Sequence, residues 1–156
     1  MPQLSITKIF RYEAAHALLG YDGLCANIHG HSYRLEVTVC RTDLDATPGT
    51  SIGAENEADP KCGMLMDFSD LKRLVNDTIV NPFDHALILN ASMQANLLET
   101  LRASHQKIIT LPFQPTSENM ILYFASRLTA CLPAPLRLKK LRLYETESSF
   151  TDWEND

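Results

Sequence analysis

The chain has 156 residues, 45% apolar and 21% charged, with a formal net charge of −5 at pH 7. That length and mixture suit one domain with a real core and exclude a disordered or fibrous chain. The acidic balance and the lack of a Lys/Arg run give no basic footprint for nucleic acid, no apolar run approaches the ~20 residues that span a bilayer, and the first residues lack the apolar core of a signal peptide, so a soluble cytoplasmic protein is expected, with no nucleic-acid or membrane partner.

In chain order, Leu4 to His16 reads as a first strand, with Ile6, Phe10, Tyr12, Ala14 and His16 on one parity and a break at Lys8 that suggests a bulge. His29 to Arg41 is the clearest strand: His29, His31, Tyr33, Leu35, Val37 and Val39 alternate with Ser32, Arg34, Glu36 and Thr38. Residues 43–62 carry Pro, Gly, Asp and Glu without periodicity and read as a solvated loop insertion. "GMLMDF" reads as a short strand entering a helix, with Asp67 as N-cap and Phe68, Leu71, Leu74, Val75 and Ile79 as its buried stripe, ended by Asn81-Pro82. "FDHALILN" reads as a connector; Met93, Leu97 and Leu101 suggest a helix, and Lys107 to Leu111 a strand. "PTSEN" opens a helix capped by Thr116, with Ile121, Phe124, Leu128 and Cys131 on one face. Leu138 to Glu145 is the last strand, its phase slipping between Leu138 and Leu141. This order predicts an α+β domain, an antiparallel sheet with helices on one face, and no linker dividing residues 1–156.

Several constellations could carry chemistry. His29 and His31 share a strand face, so their backbones stand ~6–7 Å apart, and His16 ends a neighbouring strand on the same apolar parity. Three neutral imidazoles suit Zn²⁺ and leave a coordination position open. Cys25 lies four residues before His29. It is a fourth ligand closing a structural site, a base or nucleophile beside an open metal, or an inert thiol. The four cysteines, Cys25, Cys40, Cys62 and Cys131, form no C-x-x-C pair and are expected to be reduced. Asp84 and His85 are adjacent, so they act together only if the backbone between them is irregular. Glu145 shares a face with Leu141 and Leu143. A carboxylate there needs a partner, such as the two adjacent N–H donors on the edge of a pterin or guanine. Thr116, Ser117 and Glu118 are accounted for by helix capping, although exposed N–H groups there could also meet a ligand.

Taken together, "FRYEAAH", "CANIHGHSY", "GMLMDFSDLK", "FDHALILN", "PTSEN" and "YET" resemble, in order, the blocks of the 6-pyruvoyl-tetrahydropterin synthase / 6-carboxy-tetrahydropterin synthase family. The resemblance implies the tunnelling fold (T-fold): a four-stranded antiparallel sheet with two main helices on one face, here a single domain over 1–156. It implies subunits assembled into a homo-hexamer, a dimer of trimers, with sites at subunit interfaces. It also implies a Zn²⁺ ion held by His16, His29 and His31, with Cys25 as the proton-abstracting residue. Asp84 and His85 become relay partners, Glu145 the pterin anchor, and Thr116 and Ser117 neighbours of the pterin. The implied substrate is 7,8-dihydroneopterin triphosphate. Three residues, Ala26, Asn27 and Ile28, separate Cys25 from His29. That spacing is similar to the branch making 6-carboxy-tetrahydropterin for queuosine and related deazapurines, with loss of triphosphate and acetaldehyde. The 6-pyruvoyl branch typically has five. After "YET" the chain departs from the family pattern, continuing Glu147-Ser148-Ser149 into an acidic tail.

Overall fold

Two long strands form the middle of the molecule: β1 (Ser5–His16) and β2 (His29–Arg41) run antiparallel, Ser5 opposite Cys40 and His16 opposite His29. The computed structural model describes residues 4–44, 52, 58–104 and 106–155. Most of the expected loop at 43–62 therefore lies outside the described residues. After β2 come α1 (Phe68–Val75), a π-helical stretch (Asn76–Val80) and a last turn α2 (Asn81–Phe83). Then follow β3 (Ala86–Asn90), α3 (Ala95–Ala103), β4 (Ile108–Leu111), α4 (Ser117–Cys131), β5 (Leu136–Tyr144) and β6 (Phe150–Glu154).

Among the described residues the sheet has six strands, in the order β4-β3-β1-β2-β5-β6. Four of them, β1-β2-β5-β6, form the antiparallel block expected from the resemblance; β3 and β4 extend it in parallel at the β1 edge. The sequence reading put a connector at "FDHALILN", but Ala86–Asn90 is a strand. Its run is too short to reveal a period, and pairing with the end of β1 decides it. The tail also forms a strand. Thr151 and Trp153 turn inward while Asp152 and Glu154 face Arg142 and Lys140 across the ladder. The expected strand at "GMLMDF" does not form. Both edges of β2 are already paired, and Asp67 starts α1 by accepting from the Ser69 N–H at 2.7 Å.

One face of the sheet is covered by α1 and α4. Tyr12, Tyr33, Leu35, Val37, Val39, Leu141 and Leu143 from the strands meet Leu71, Val75, Ile79, Met120, Phe124 and Leu128 from the helices in one core. Two members of the expected stripes lie outside it: Phe68 is half exposed and Cys131 is exposed. The bulge expected at Lys8 does not form: the β1–β2 register runs through it, and its Nζ sits over the Phe68 ring, 5.8 Å from the centroid. The irregularity falls on β5 instead, where Val37 pairs with Leu141 but Val39 with Leu138, matching the phase slip seen in the sequence. A smaller cluster of Ala17, Leu89 and Leu98 seats α3.

Candidate active site

The pairing of β1 with β2 builds the site. Cross-strand register places His16 opposite His29, and period two puts His31 on the same face, so three imidazoles converge at one end of the core. Gly30 between the two β2 histidines lies against β1: a Cβ there would stand 3.2 Å from the Ala14 carbonyl oxygen. The ligating atoms of His16, His29 and His31 all lie within 4.8 Å of one another.

Hydrogen bonds fix the tautomers. His16 Nδ1–H donates to the Pro115 carbonyl at 2.7 Å, and His29 Nδ1–H donates to the Asn27 carbonyl at 2.8 Å. A carbonyl only accepts, so both rings carry the proton on Nδ1 and turn the Nε2 lone pair inward. The Nε2 atoms then stand 3.0 Å apart between His16 and His29, and 3.2 Å apart between His16 and His31. Facing lone pairs repel unless an electrophile sits between them. Backbone carbonyls on the outer nitrogens are the usual second shell of a metal-binding histidine. Burial holds the His16 and His31 pKa values below the ordinary histidine value, so these rings are neutral donors at pH 7. The residues present therefore fit a cation such as Zn²⁺ with three nitrogen ligands and an open position.

Around the cluster lie groups the sequence did not single out. Tyr33 stacks on Tyr12 with centroids 5.0 Å apart, and the Tyr33 hydroxyl is 3.5 Å from His16 Nδ1. Burial raises both phenol pKa values, and the negative charge of Glu145 raises them further, so both stay neutral. Glu145 Oε1 lies 3.9 Å from His16 Nε2. The carboxylate thus borders the histidine cluster, half buried, at the end of β5. Pro115 was legible only as part of a helix-opening block. Its carbonyl role depends on where that block packs.

Asp84 and His85 meet because the backbone between them is irregular. His85 has φ 60°, in the left-handed region, which brings its Nδ1 to 3.0 Å from Asp84 Oδ2. Asp84 Oδ1 accepts from the Glu13 N–H at 2.9 Å, and the His85 N–H donates to the Glu13 carbonyl at 2.6 Å, so β1 holds the pair. Lys107 Nζ donates to the Asn81 and Asp84 carbonyls. The Glu13 N–H and then His85 lower the Asp84 pKa below the usual carboxylate value. His85 is largely exposed and lines a cleft of about 390 Å³ together with His31, Glu13 and Gln106.

The other candidates are placed less centrally. Thr116 caps α4 by accepting from the Asn119 N–H, and Ser117 Oγ is hydrogen-bonded to Thr151 Oγ1 at 2.9 Å. Thr116 directly follows Pro115, whose carbonyl accepts from His16. Cys25 is exposed on a short 3₁₀ turn, Leu24–Ala26, and its carbonyl accepts from the Leu18 N–H. Its sulfur is not among the convergent donor atoms. A cavity of about 570 Å³ lies elsewhere, lined by Arg41, Lys61, Asp70, Arg73 and Cys131. It holds none of the candidate residues, so donor chemistry locates the site better than size does.

Residues 5–156 match the profile of the 6-pyruvoyl tetrahydropterin synthase family. The chain belongs to that family. It is 32% identical over 151 residues to a 6-carboxy-5,6,7,8-tetrahydropterin synthase of Haemophilus influenzae, covering 96% of this chain and 97% of the relative. It is 26% identical to a 6-pyruvoyl tetrahydrobiopterin synthase of Pongo abelii, covering 99% of this chain and 93% of that one. Among solved structures, the 6-pyruvoyl tetrahydropterin synthase of Caenorhabditis elegans superposes with a TM-score of 0.63 at 22% identity, covering 100% of this chain and 98% of that one. An uncharacterized protein of Wolinella succinogenes superposes with a TM-score of 0.68 at 16% identity, each chain covered in full. These likenesses establish the T-fold. The family is one of pterin synthases, enzymes of the lyase type. Among the described residues, no helix is long and apolar enough to cross a membrane.

Proposed function

We propose that this protein is a Zn²⁺-dependent 6-carboxy-5,6,7,8-tetrahydropterin synthase. It acts on 7,8-dihydroneopterin triphosphate with loss of triphosphate and acetaldehyde, in the cytoplasm, on a route to queuosine or related deazapurines. The observation that carries the reading is the convergence of three histidine nitrogens beside Glu145. The Haemophilus influenzae relative at 32% identity and the three-residue gap before His29 support the 6-carboxy branch.

The residues take the following roles. His16, His29 and His31 hold the metal. When bound, Zn²⁺ supplies Lewis-acid polarisation of hydroxyl and carbonyl oxygens on the substrate side chain. Glu145 accepts the paired N–H donors of the pterin edge, which fixes the ring so that its side chain reaches the histidine cluster in register. Thr116 and Ser117 flank the ring. Cys25 removes a proton from the substrate side chain, and the Asp84-His85 pair carries protons to and from the neighbouring carbon. The exposure of Cys25 and His85 suits a site completed by other copies of this chain in a homo-hexamer.

Because the family profile and the Pongo abelii relative carry the 6-pyruvoyl name, that reaction is the second reading, alongside side-chain cleavage in folate metabolism. A non-enzymatic module with a closed Cys-His₃ zinc is a third. Incubating the zinc-loaded protein with 7,8-dihydroneopterin triphosphate and following products by mass spectrometry separates them. The 6-carboxy product with acetaldehyde supports the proposal. A 6-pyruvoyl product without acetaldehyde replaces it with the second reading, and an unchanged substrate rejects catalysis.

A further inference from the structure

We propose that the sheet face opposite the helices carries a second binding site, for a small phosphate-type oxyanion, formed by Arg11 and Arg34. The two arginines stand directly opposite each other in the β1–β2 ladder. Like charges in that position destabilise a sheet unless something neutralises them. Arg34 is paired with Glu36 through Nη2, but its Nε is buried without a hydrogen-bond partner. An orphaned guanidinium donor is costly, so a side-chain shift that brings it to an acceptor is favoured. Arg11 is exposed, and among the described residues no carboxylate lies within ion-pair distance of it.

These groups line a cavity of about 230 Å³ with Ser32, Tyr144, Thr146 and Glu147. Tyr144 forms a wall and holds the Arg34 guanidinium over its ring, 4.9 Å from the centroid. Thr146 adds a hydroxyl, while the Ser32 hydroxyl is already donated to Glu13 Oε2 at 2.7 Å. A guanidinium fork pre-oriented by an aromatic ring, with a second arginine opposite, matches the oxygens of phosphate or pyrophosphate. The volume is below the usual range for a drug-sized ligand, which favours a small anion. Glu147 is the one carboxylate on the wall; it is exposed on the turn after β5 and weakens anion binding without blocking it. The cavity is separate from the proposed metal site, because the histidines occupy the opposite face of β1 and β2 and none of them lines it.

Isothermal titration of the full-length protein with inorganic pyrophosphate, and with inorganic phosphate, tests the assignment. Saturable binding is expected, weakened about tenfold by Arg11→Gln and by Arg34→Gln. Glu147→Gln is expected to tighten it, and His29→Ala to leave it unchanged. Arg11 is exposed, so Arg11→Gln reads the site even if Arg34→Gln disturbs the fold, which far-ultraviolet circular dichroism reports. No saturable binding by the wild-type chain, or equal binding by Arg11→Gln, overturns the proposal. Loss of binding in His29→Ala also overturns it, by assigning the anion to the histidine site. If the enzyme assay above fails but the arginine-dependent binding persists, only the reading of the reaction falls.

Discussion

His16 and His29 face each other across the β1–β2 ladder with their Nε2 atoms 3.0 Å apart, and each ring gives its Nδ1 proton to a backbone carbonyl. Two lone pairs are thereby held together with no proton between them. Such a pair is a prepared ligand set, and removing either ring should dismantle it. His16→Ala, His29→Ala and His31→Ala are each expected to lose stoichiometric zinc, measured by metal analysis after dialysis. Zinc should raise the stability of the wild-type protein by about 2.7 kcal/mol at a free concentration a hundred times its Kd. The same addition should leave the thermal midpoint of His29→Ala unmoved.

Cys25 is exposed and outside the convergent donor set. Cys25→Ala should therefore keep full zinc occupancy while lowering kcat by about 10²–10⁴-fold, the usual contribution of a general base. Loss of zinc in this variant would instead make Cys25 a ligand and the site closed.

Glu145 borders the histidines, 3.9 Å from His16 Nε2, but does not join their ligand set. Glu145→Gln should retain zinc and weaken binding of a pterin by about tenfold or more, because one charge-assisted hydrogen bond becomes a neutral one and an amide N–H meets a donor. Fluorescence titration with a pterin reads the affinity separately from turnover.

The Asp84 carboxyl is stabilised in its ionised form by the Glu13 N–H and by His85. Its folded pKa is lower than its unfolded one, so it contributes stability above the unfolded value, and this contribution disappears as pH falls through the folded value. Asp84→Asn should be less stable than wild type in urea melts at pH 7. The gap should close as pH falls below the ordinary carboxylate range.

Phe124 is fully buried on α4 and meets Tyr12, Phe83 and Tyr123 edge-on or tilted. Phe124→Ala should cost about 3–5 kcal/mol through lost burial and the cavity left behind. Chemical denaturation measures it.

The sequence carried the elements whose signals are local. Period two along 29–41 put His29 and His31 on the apolar face, and the structure has the same strand, His29–Arg41. Caps at Asp67 and Thr116 need only the next turn of backbone, and both form. Even the phase slip before Leu141 was visible, because a bulge shifts the alternation of a single strand.

What the sequence left open depends on partners far along the chain. Ala86–Asn90 becomes a strand because the end of β1 offers it an edge, and "GMLMDF" does not because β2, the strand before it, is already paired on both sides. Phe150–Glu154 looked like an acidic tail. Its charges are cross-strand partners of Arg142 and Lys140, which only the β5 pairing supplies. The order of residues in the chain was enough to name three histidines, a cysteine and a carboxylate as candidates. Only the tertiary structure decided that His16 meets His29, that Pro115, 99 residues away, sets the His16 tautomer, and that Arg11 is left facing Arg34. The physical reason is range: strand faces and helix caps are set by neighbours within a few residues, whereas a site is set by register between segments that the sequence does not place side by side.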